Sequence, residues 1–332
     1  MAEPQREALI QVRKLTVHYT SADGREIPAL NQVDFTIQPG EAVGVLGESG
    51  CGKTTLGLSV LRLLPASARI RSGSVLFHGQ EILQMTEDQL QKLRGAEISM
   101  IFQEPEIALT PVMRVGEQVV EVIRAHRPGS REQCRAQAKE LLSQLGFSDA
   151  DRIYSAYPHQ LSGGQRQRAV IAQAIACKPS LVIADEPTTA LDSAVQGEIL
   201  ALFRHLQERY QMALLIITHN PAILAKITNR VLVMYAGRIV EEAATSDIFR
   251  KPLHPYTLGL MRCHPQSDAE DSFGPRRPLH SIPGQPPEPT QAMRGCSFEP
   301  RCPDRMDRCT IREPEEVQAE TSLRVRCFKY GG

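Results

Sequence analysis

The run Gly47-Glu48-Ser49-Gly50-Cys51-Gly52-Lys53-Thr54 constrains this chain more than any other feature. It fits the pattern G-x-x-x-x-G-K-[ST], and its flanks fit as well. Ala42 to Leu46 before it is a short continuous apolar run, as expected of a strand buried on both faces. Thr54 to Leu64 after it has helical spacing. A strand, a glycine-rich turn and a helix in that order make a cradle for phosphate. The glycines let backbone N–H groups turn inward, and the helix start adds positive potential. Lys53 can bridge phosphate oxygens there, and the Thr54 hydroxyl can ligate Mg²⁺. The bland alternative is a chance glycine-rich turn, and the flanks argue against it.

The rest of the chain reads as α/β. Leu9 to Tyr19 and Val33 to Ile37 carry apolar residues at near-alternating positions, the period of half-buried strands. Thr86 to about Gly146 is mostly helical in pattern, interrupted by the strand-like Ile98 to Phe102. After Ser162 come a helix, a strand at Leu181 to Ala184, a helix through about Tyr210, and strands at Ala213 to Thr218 and Val231 to Tyr235. Alternation of this kind predicts one layered core. There is no internal repeat. From His264 to Gln291 the chain is rich in Pro, Ser, Asp and Gly, and reads as an extended connector.

Three further places carry chemistry. Leu161-Ser162-Gly163-Gly164-Gln165 opens a helix, and its bare glycine N–H groups permit close approach to a phosphate. Asp185 leaves an apolar strand where an aspartate can hold a Mg²⁺ shell through water. Glu186, the next residue, can accept a proton from attacking water. Taken alone, an Asp-Glu pair at a strand end is more often a solvated turn. His219 follows the strand ending at Thr218, within plausible reach of a γ-phosphate. Its bland reading is structural. For Tyr19, which ends a strand, the bland reading is packing, and Gln103 follows Ile101-Phe102.

Together these motifs resemble the ATP-binding cassettes of ABC transporters over roughly residues 9–260. Leu161 to Gln165 is similar to the family signature, and Leu181 to Glu186 to its Walker B strand. The resemblance implies a RecA-like α/β core with an antiparallel β-subdomain and a helical subdomain at about 105–175. It implies a nucleotide site built from Tyr19 on adenine, Gly47 to Thr54 with Thr55, and Gln103 sensing Mg²⁺. Mg²⁺ would be held by Thr54, Gln103 and Asp185, with Glu186 and His219 catalytic. Ala190-Leu191-Asp192 resembles the loop that touches a second cassette. Ser162 and its neighbours would complete the ATP site of that partner, so hydrolysis requires a pair. Two stretches depart from the family pattern. Glu104 to Pro111 replaces a small polar run ending Leu-Asn-Pro, and Asn220-Pro221 stands where an aspartate usually follows the histidine.

The end of the chain narrows the branch. Lys251-Pro252-Leu253-His254-Pro255-Tyr256-Thr257 is similar to a segment of oligopeptide, dipeptide and nickel importers, as are Ile282-Pro283-Gly284 and Gly295 to Pro303. Physically, His254-Pro255-Tyr256 is expected to start a helix with proline in its first turn. Cys296, Cys302, Cys309 and Cys327 could surround one metal, but they lack the tight C-x₂-C pairs of zinc ribbons. Four thiolates suit a [4Fe–4S] cluster, which the resemblance also implies; zinc and unmetallated thiols stay open. The division expected is a cassette over 1–250 and an extension over 251–332, with a connector at 264–291 and cysteines at 296–327.

Composition sets the remaining bounds. Lys plus Arg and Asp plus Glu are 38 each in 332 residues, so no global field favours nucleic acid. No apolar run approaches the roughly 18–20 residues of a spanning helix. The absence of a sustained heptad between Lys53 and Leu161 argues against a coiled-coil chromosome ATPase, and a single cassette against a translation factor. Glu186 and His219 are both present, unlike in a non-catalytic regulator. The expectation is a peripheral ATPase at the cytoplasmic face of the inner membrane, powering peptide import, or nickel-complex import as the alternative. Its partners would be a second cassette, expected to be a sister subunit in a heterodimer, two permeases and, indirectly, an external binding protein.

Overall fold

A computed structural model describes residues 7–189, 191–263, 281–288, 294–320 and 323–331. The N-terminal strands β1 (Ile10–Thr20) and β2 (Glu26–Ile37) pair antiparallel, with Ile10 opposite Ile37. Strand β3 (Ala42–Leu46) and helix α1 (Lys53–Val60) then leave this sheet. Strands β4 (Ala68–Phe77) and β5 (Gln80–Glu81) complete it in the order β2-β1-β4-β5. Alternation places Ile10, Val12, Leu15 and Val17 inside. Helix α1 stops at Val60, short of the expected Leu64, because Arg62 turns left-handed at φ 51° and Pro65 follows.

Helix α2 (Glu87–Leu93), capped reciprocally by Thr86 and Gln89, leads to β6 (Ile98–Ile101). A helical stretch follows: α3 (Pro105–Ala108), α4 (Val115–His126), α5 (Arg131–Gln144), α6 (Ala150–Ser155) and α7 (Gly163–Ile175). One carboxylate pins three of these helices. Glu117 of α4 accepts from the Tyr154 hydroxyl of α6 at 2.6 Å and from Arg131 and Arg135 of α5 at 2.9 and 3.1 Å. The Tyr154 bond, then Arg131, holds the Glu117 carboxyl down to about 2.

Strand β7 (Leu181–Asp185), α8 (Ser193–Tyr210), β8 (Ala213–Thr218), α9 (Pro221–Ile227) and β9 (Arg230–Tyr235) build the second sheet around β3. Its parallel part runs β9-β3-β8-β7-β6. Strands β3, β7 and β8 are buried throughout, as their apolar runs require, with Asp185 and Thr218 as the buried polar ends of β7 and β8.

The sheet does not end with the cassette motifs. Strand β10 (Arg238–Ala244) adds antiparallel to β9, and helices α10 (Thr245–Arg250), α11 (Pro255–Cys263) and α12 (Arg308–Ile311) follow. Strands β11 (Val317–Glu320) and β12 (Leu323–Val325) extend the edge, with Glu241 opposite Val325. Phe298, Leu323 and Val325 join the same apolar cluster as Leu46 and Val182. The buried Glu242 is bonded by Arg230 and, at 2.5 Å, by Arg324. The C-terminal segment is therefore part of the core rather than an appendage on a tether. Most of the connector expected over 264–291 lies outside the described residues; 281–288 form neither helix nor strand. Among the described residues, no helix is long and apolar enough to cross a membrane.

Candidate active site

The parallel strands end on one edge, and most of the site residues stand there. The phosphate loop links β3 to α1. Gly50 and Gly52 hold φ of 80° and 106°, which side chains disfavour, and a Cβ on Gly52 would lie 2.5 Å from the Ala29 carbonyl oxygen. Gly47 has an ordinary φ but no room, since its Cβ would meet the Met234 carbonyl oxygen at 2.4 Å. Lys53 is buried and donates from Nζ to the carbonyls of Gly47 and Glu48 at 2.7 and 2.9 Å. The lysine thus braces the loop it belongs to. The Tyr19 hydroxyl lies 3.2 Å from Thr55 Oγ1, tying β1 of the first sheet to the start of α1.

Asp185 ends β7 in a buried position, and its Oδ1 has no hydrogen-bond partner. Burial raises its pKa; a Thr54 hydrogen bond lowers it, Glu186 raises it and Lys53 lowers it. An orphaned buried carboxylate oxygen facing a threonine hydroxyl and a lysine fits a divalent cation with its water shell. Parallel pairing sets Ile101 opposite Ala184, so exposed Gln103 leaves its strand on the same edge as Asp185.

Glu186 takes a left-handed conformation at φ 50°, which costs a non-glycine residue about 1–3 kcal/mol. Its bonds hold it there. Oε1 accepts from the His219 backbone N–H at 3.0 Å and lies 2.7 Å from His219 Nδ1. Oε2 accepts from the Thr189 hydroxyl at 2.9 Å. Strands β7 and β8 are neighbours, so this pair spans adjacent strand ends. After His219, Asn220 caps α9 through the Ala222 N–H at 2.9 Å, with Pro221 in the first turn. The departure from the family pattern therefore has a local helix-starting role.

The segment Leu161 to Gln165 opens helix α7 rather than following a strand end. Ser162 Oγ accepts from the Gln165 N–H at 3.3 Å, and Gln165 Oε1 accepts from the Ser162 N–H at 3.1 Å, a reciprocal cap on α7. Ser162 and Gly163 are exposed, while Leu161 is buried. Gly164 has a packing reason of its own: its Cβ would sit 2.6 Å from Val195 Cγ1 on α8. Asp192 caps α8, accepting from Ala194 and Val195 N–H groups at 3.1 and 2.9 Å. Ala190 lies outside the described residues.

Sequence patterns missed what supports the loop from behind. Tyr256 is fully buried in α11, which starts at Pro255 as expected, and its hydroxyl accepts the Glu48 N–H at 2.8 Å. Glu241 sets that helix start by accepting from the Leu253 and His254 N–H groups at 2.7 and 2.9 Å. Burial pushes His254 down to about 3, so it is neutral; its Nδ1 accepts the Tyr256 N–H at 3.1 Å. Tyr235, Tyr256 and Phe298 form one aromatic group, with ring centroids 4.6–5.4 Å apart.

The four C-terminal cysteines line one cavity of about 10 Å³, enough for roughly one water. A Cβ on Gly295 would lie 2.0 Å from the Cys309 carbonyl oxygen, and the Cys296 N–H donates to that oxygen at 2.8 Å. All four are free thiols, and burial pushes Cys296 and Cys302 up to about 11. Among the described residues, no group of three or more His, Cys, Asp or Glu is placed to hold a metal ion. The four thiols are neighbours, but they are not arranged as metal ligands.

Comparison with known proteins decides the family. The family described as "ABC transporter" matches residues 30–189, and "Oligopeptide/dipeptide transporter, C-terminal region" matches 240–309. The oligopeptide transport ATP-binding protein OppD of Escherichia coli is 42% identical, over 99% of this chain and 95% of that protein. The chain belongs to the ABC transporter ATP-binding subunits, of the oligopeptide/dipeptide importer type. Members of this family are ATPases that use ATP, and they work with membrane permease subunits. AppD of Bacillus subtilis, also named an oligopeptide transport ATP-binding protein, is 42% identical over 97% of each chain. Among solved structures, the ATP-binding cassette MJ0796, a dimer bound to ADP and Pi in a post-hydrolysis state, matches with a TM-score of 0.64 at 29% identity. That match covers 71% of this chain and 98% of the cassette. CbiO1 of Clostridium perfringens, part of the complex cbiONQ, matches at 0.63 and 27%, over 74% and 92%.

Proposed function

We propose that this chain hydrolyses ATP to power peptide import across the inner membrane, from its cytoplasmic face. One observation carries the reading: a phosphate loop, an orphaned Asp185 carboxylate and a braced Glu186 share a sheet edge in a chain whose C-terminal region matches peptide importers.

The residues divide the work as follows. Loop N–H groups, Lys53 and Thr55 bind the nucleotide, with Tyr19 on the adenine. Thr54, Gln103 and Asp185 hold Mg²⁺, which when bound offsets phosphate charge. Glu186 orients the attacking water and takes its proton, and His219 holds Glu186 in place while facing the γ-phosphate. Ser162 to Gln165 completes the site of a second cassette, and Asp192 lies at the joint between the two. ATP thereby favours the closed pair, and hydrolysis releases it. The second cassette is read as a sister subunit, with two permeases and an external binding protein beyond it. By role, residues 1–250 are the cassette, with the helical subdomain at about 105–175, and 251–332 the extension.

The cysteine quartet is proposed as a ligand set for a [4Fe–4S] cluster or, alternatively, zinc. No step of hydrolysis passes through it. Metal and acid-labile sulfide analysis after air-free purification tests it; a colourless, metal-free protein removes it. The transport reading is tested by reconstitution with the permeases and binding protein, reading ATPase stimulation by peptides. Stimulation by nickel complexes alone would replace peptide with metal as cargo, and no stimulation by either would refute import.

A further inference from the structure

The phosphate loop is anchored from the far end of the chain. Arg301, in the turn between Cys296 and Cys302, grips the Glu48 carboxylate with both terminal nitrogens, at 2.6 and 2.9 Å. Its side chain is 4% exposed, against 27% for Glu48. Arg301 Nε donates to the Pro283 carbonyl at 3.0 Å, and the rings of Tyr235 and Phe298 lie 5.9 and 6.0 Å from the guanidinium. A planar fork held on every side is a rigid clamp for a carboxylate.

Glu48 is the loop residue held at most points. Its N–H meets Tyr256, its carboxylate meets Arg301, and its carbonyl accepts from Lys53. A direct path therefore joins the C-terminal extension to the phosphate-binding lysine. Charge adds a second reason. Glu48 places a carboxylate within a loop built to cradle a polyanion, and an unpaired carboxylate there would repel the incoming triphosphate. Arg301 cancels that charge.

We propose that Arg301 is a positioning residue for ATP: by clamping and neutralising Glu48, it keeps the loop and Lys53 arranged to accept a triphosphate. The extension then contributes to nucleotide affinity besides packing. This rests on the reading of the loop as the ATP site.

The test measures MgATP and MgADP affinity of the full-length chain by calorimetry. Arg301→Met is expected to weaken ATP binding about tenfold, with a smaller loss for ADP, the effect of one uncompensated charge. Adding Glu48→Gln to that variant removes the repelling charge and should restore most of the loss. The proposal is overturned if Arg301→Met binds ATP as the parent does, if ATP and ADP weaken equally, or if the double variant stays as weak as the single one. Lys53→Ala separates the underlying reading: parental ATP binding that survives this change rejects the loop as the site, independently of Arg301.

Discussion

Glu186 and His219 are joined twice, through the histidine backbone N–H at 3.0 Å and the ring Nδ1 at 2.7 Å to one carboxylate oxygen. The backbone bond ties the carboxylate to the end of β8, and the ring bond makes its orientation depend on the histidine. Glu186, proposed as the base, and His219, proposed as the switch, are thus held as one unit.

Replacing the carboxylate should separate binding from turnover. Glu186→Gln keeps the shape and loses the base, so ATP affinity persists while kcat falls by about 10²–10⁴-fold. His219→Ala removes the ring bond and should also lower kcat. Steady-state hydrolysis by the assembled transporter measures both, and near-parental turnover by Glu186→Gln would exclude it as the base.

The two signature glycines should differ in stability. Gly164→Ala forces a methyl against Val195 and is expected to cost about 1–3 kcal/mol. Gly163→Ala meets its nearest atom, on Leu191, at 3.6 Å and should leave stability unchanged. Denaturant melts distinguish them. If both lower ATPase activity, the shared effect belongs to phosphate approach rather than folding.

The helical subdomain carries a pH-dependent clamp. Glu117 is held down to about 2 when folded, against an ordinary value of 4.5. Its contribution is therefore complete above pH 4.5 and fades as pH falls toward 2. Glu117→Gln should cost about 1–2 kcal/mol near neutral pH, after discounting for solvent, with the difference from the parent shrinking in acid. Urea unfolding at pH 7 and pH 3 checks it.

What the sequence made legible follows local rules. Strands β3, β7 and β8 are built on apolar runs, and the glycine-rich loop is a local motif. Strand β10 was not legible, because Glu241 and Glu242 sit buried in its middle. Their partners, the Leu253 and His254 N–H groups and the Arg230 and Arg324 side chains, come from elsewhere in the fold. Strand β4 was hidden by its exposed arginines, Arg69 and Arg71, and by Gly73. The Arg301 clamp joins two motifs that were each recognised, but nothing in either announces the other. Ser162 shows the converse limit: its visible partner is Gln165, while the phosphate it is read to touch belongs to another subunit.

That last relation is measured most directly by a structure of the assembled transporter carrying Glu186→Gln and loaded with MgATP. The Ser162 hydroxyl and the Gly164 N–H are expected within hydrogen-bond distance of a γ-phosphate seated on the neighbouring cassette's lysine loop. Bound ATP with Ser162 and Gly164 remote from every phosphate would contradict it.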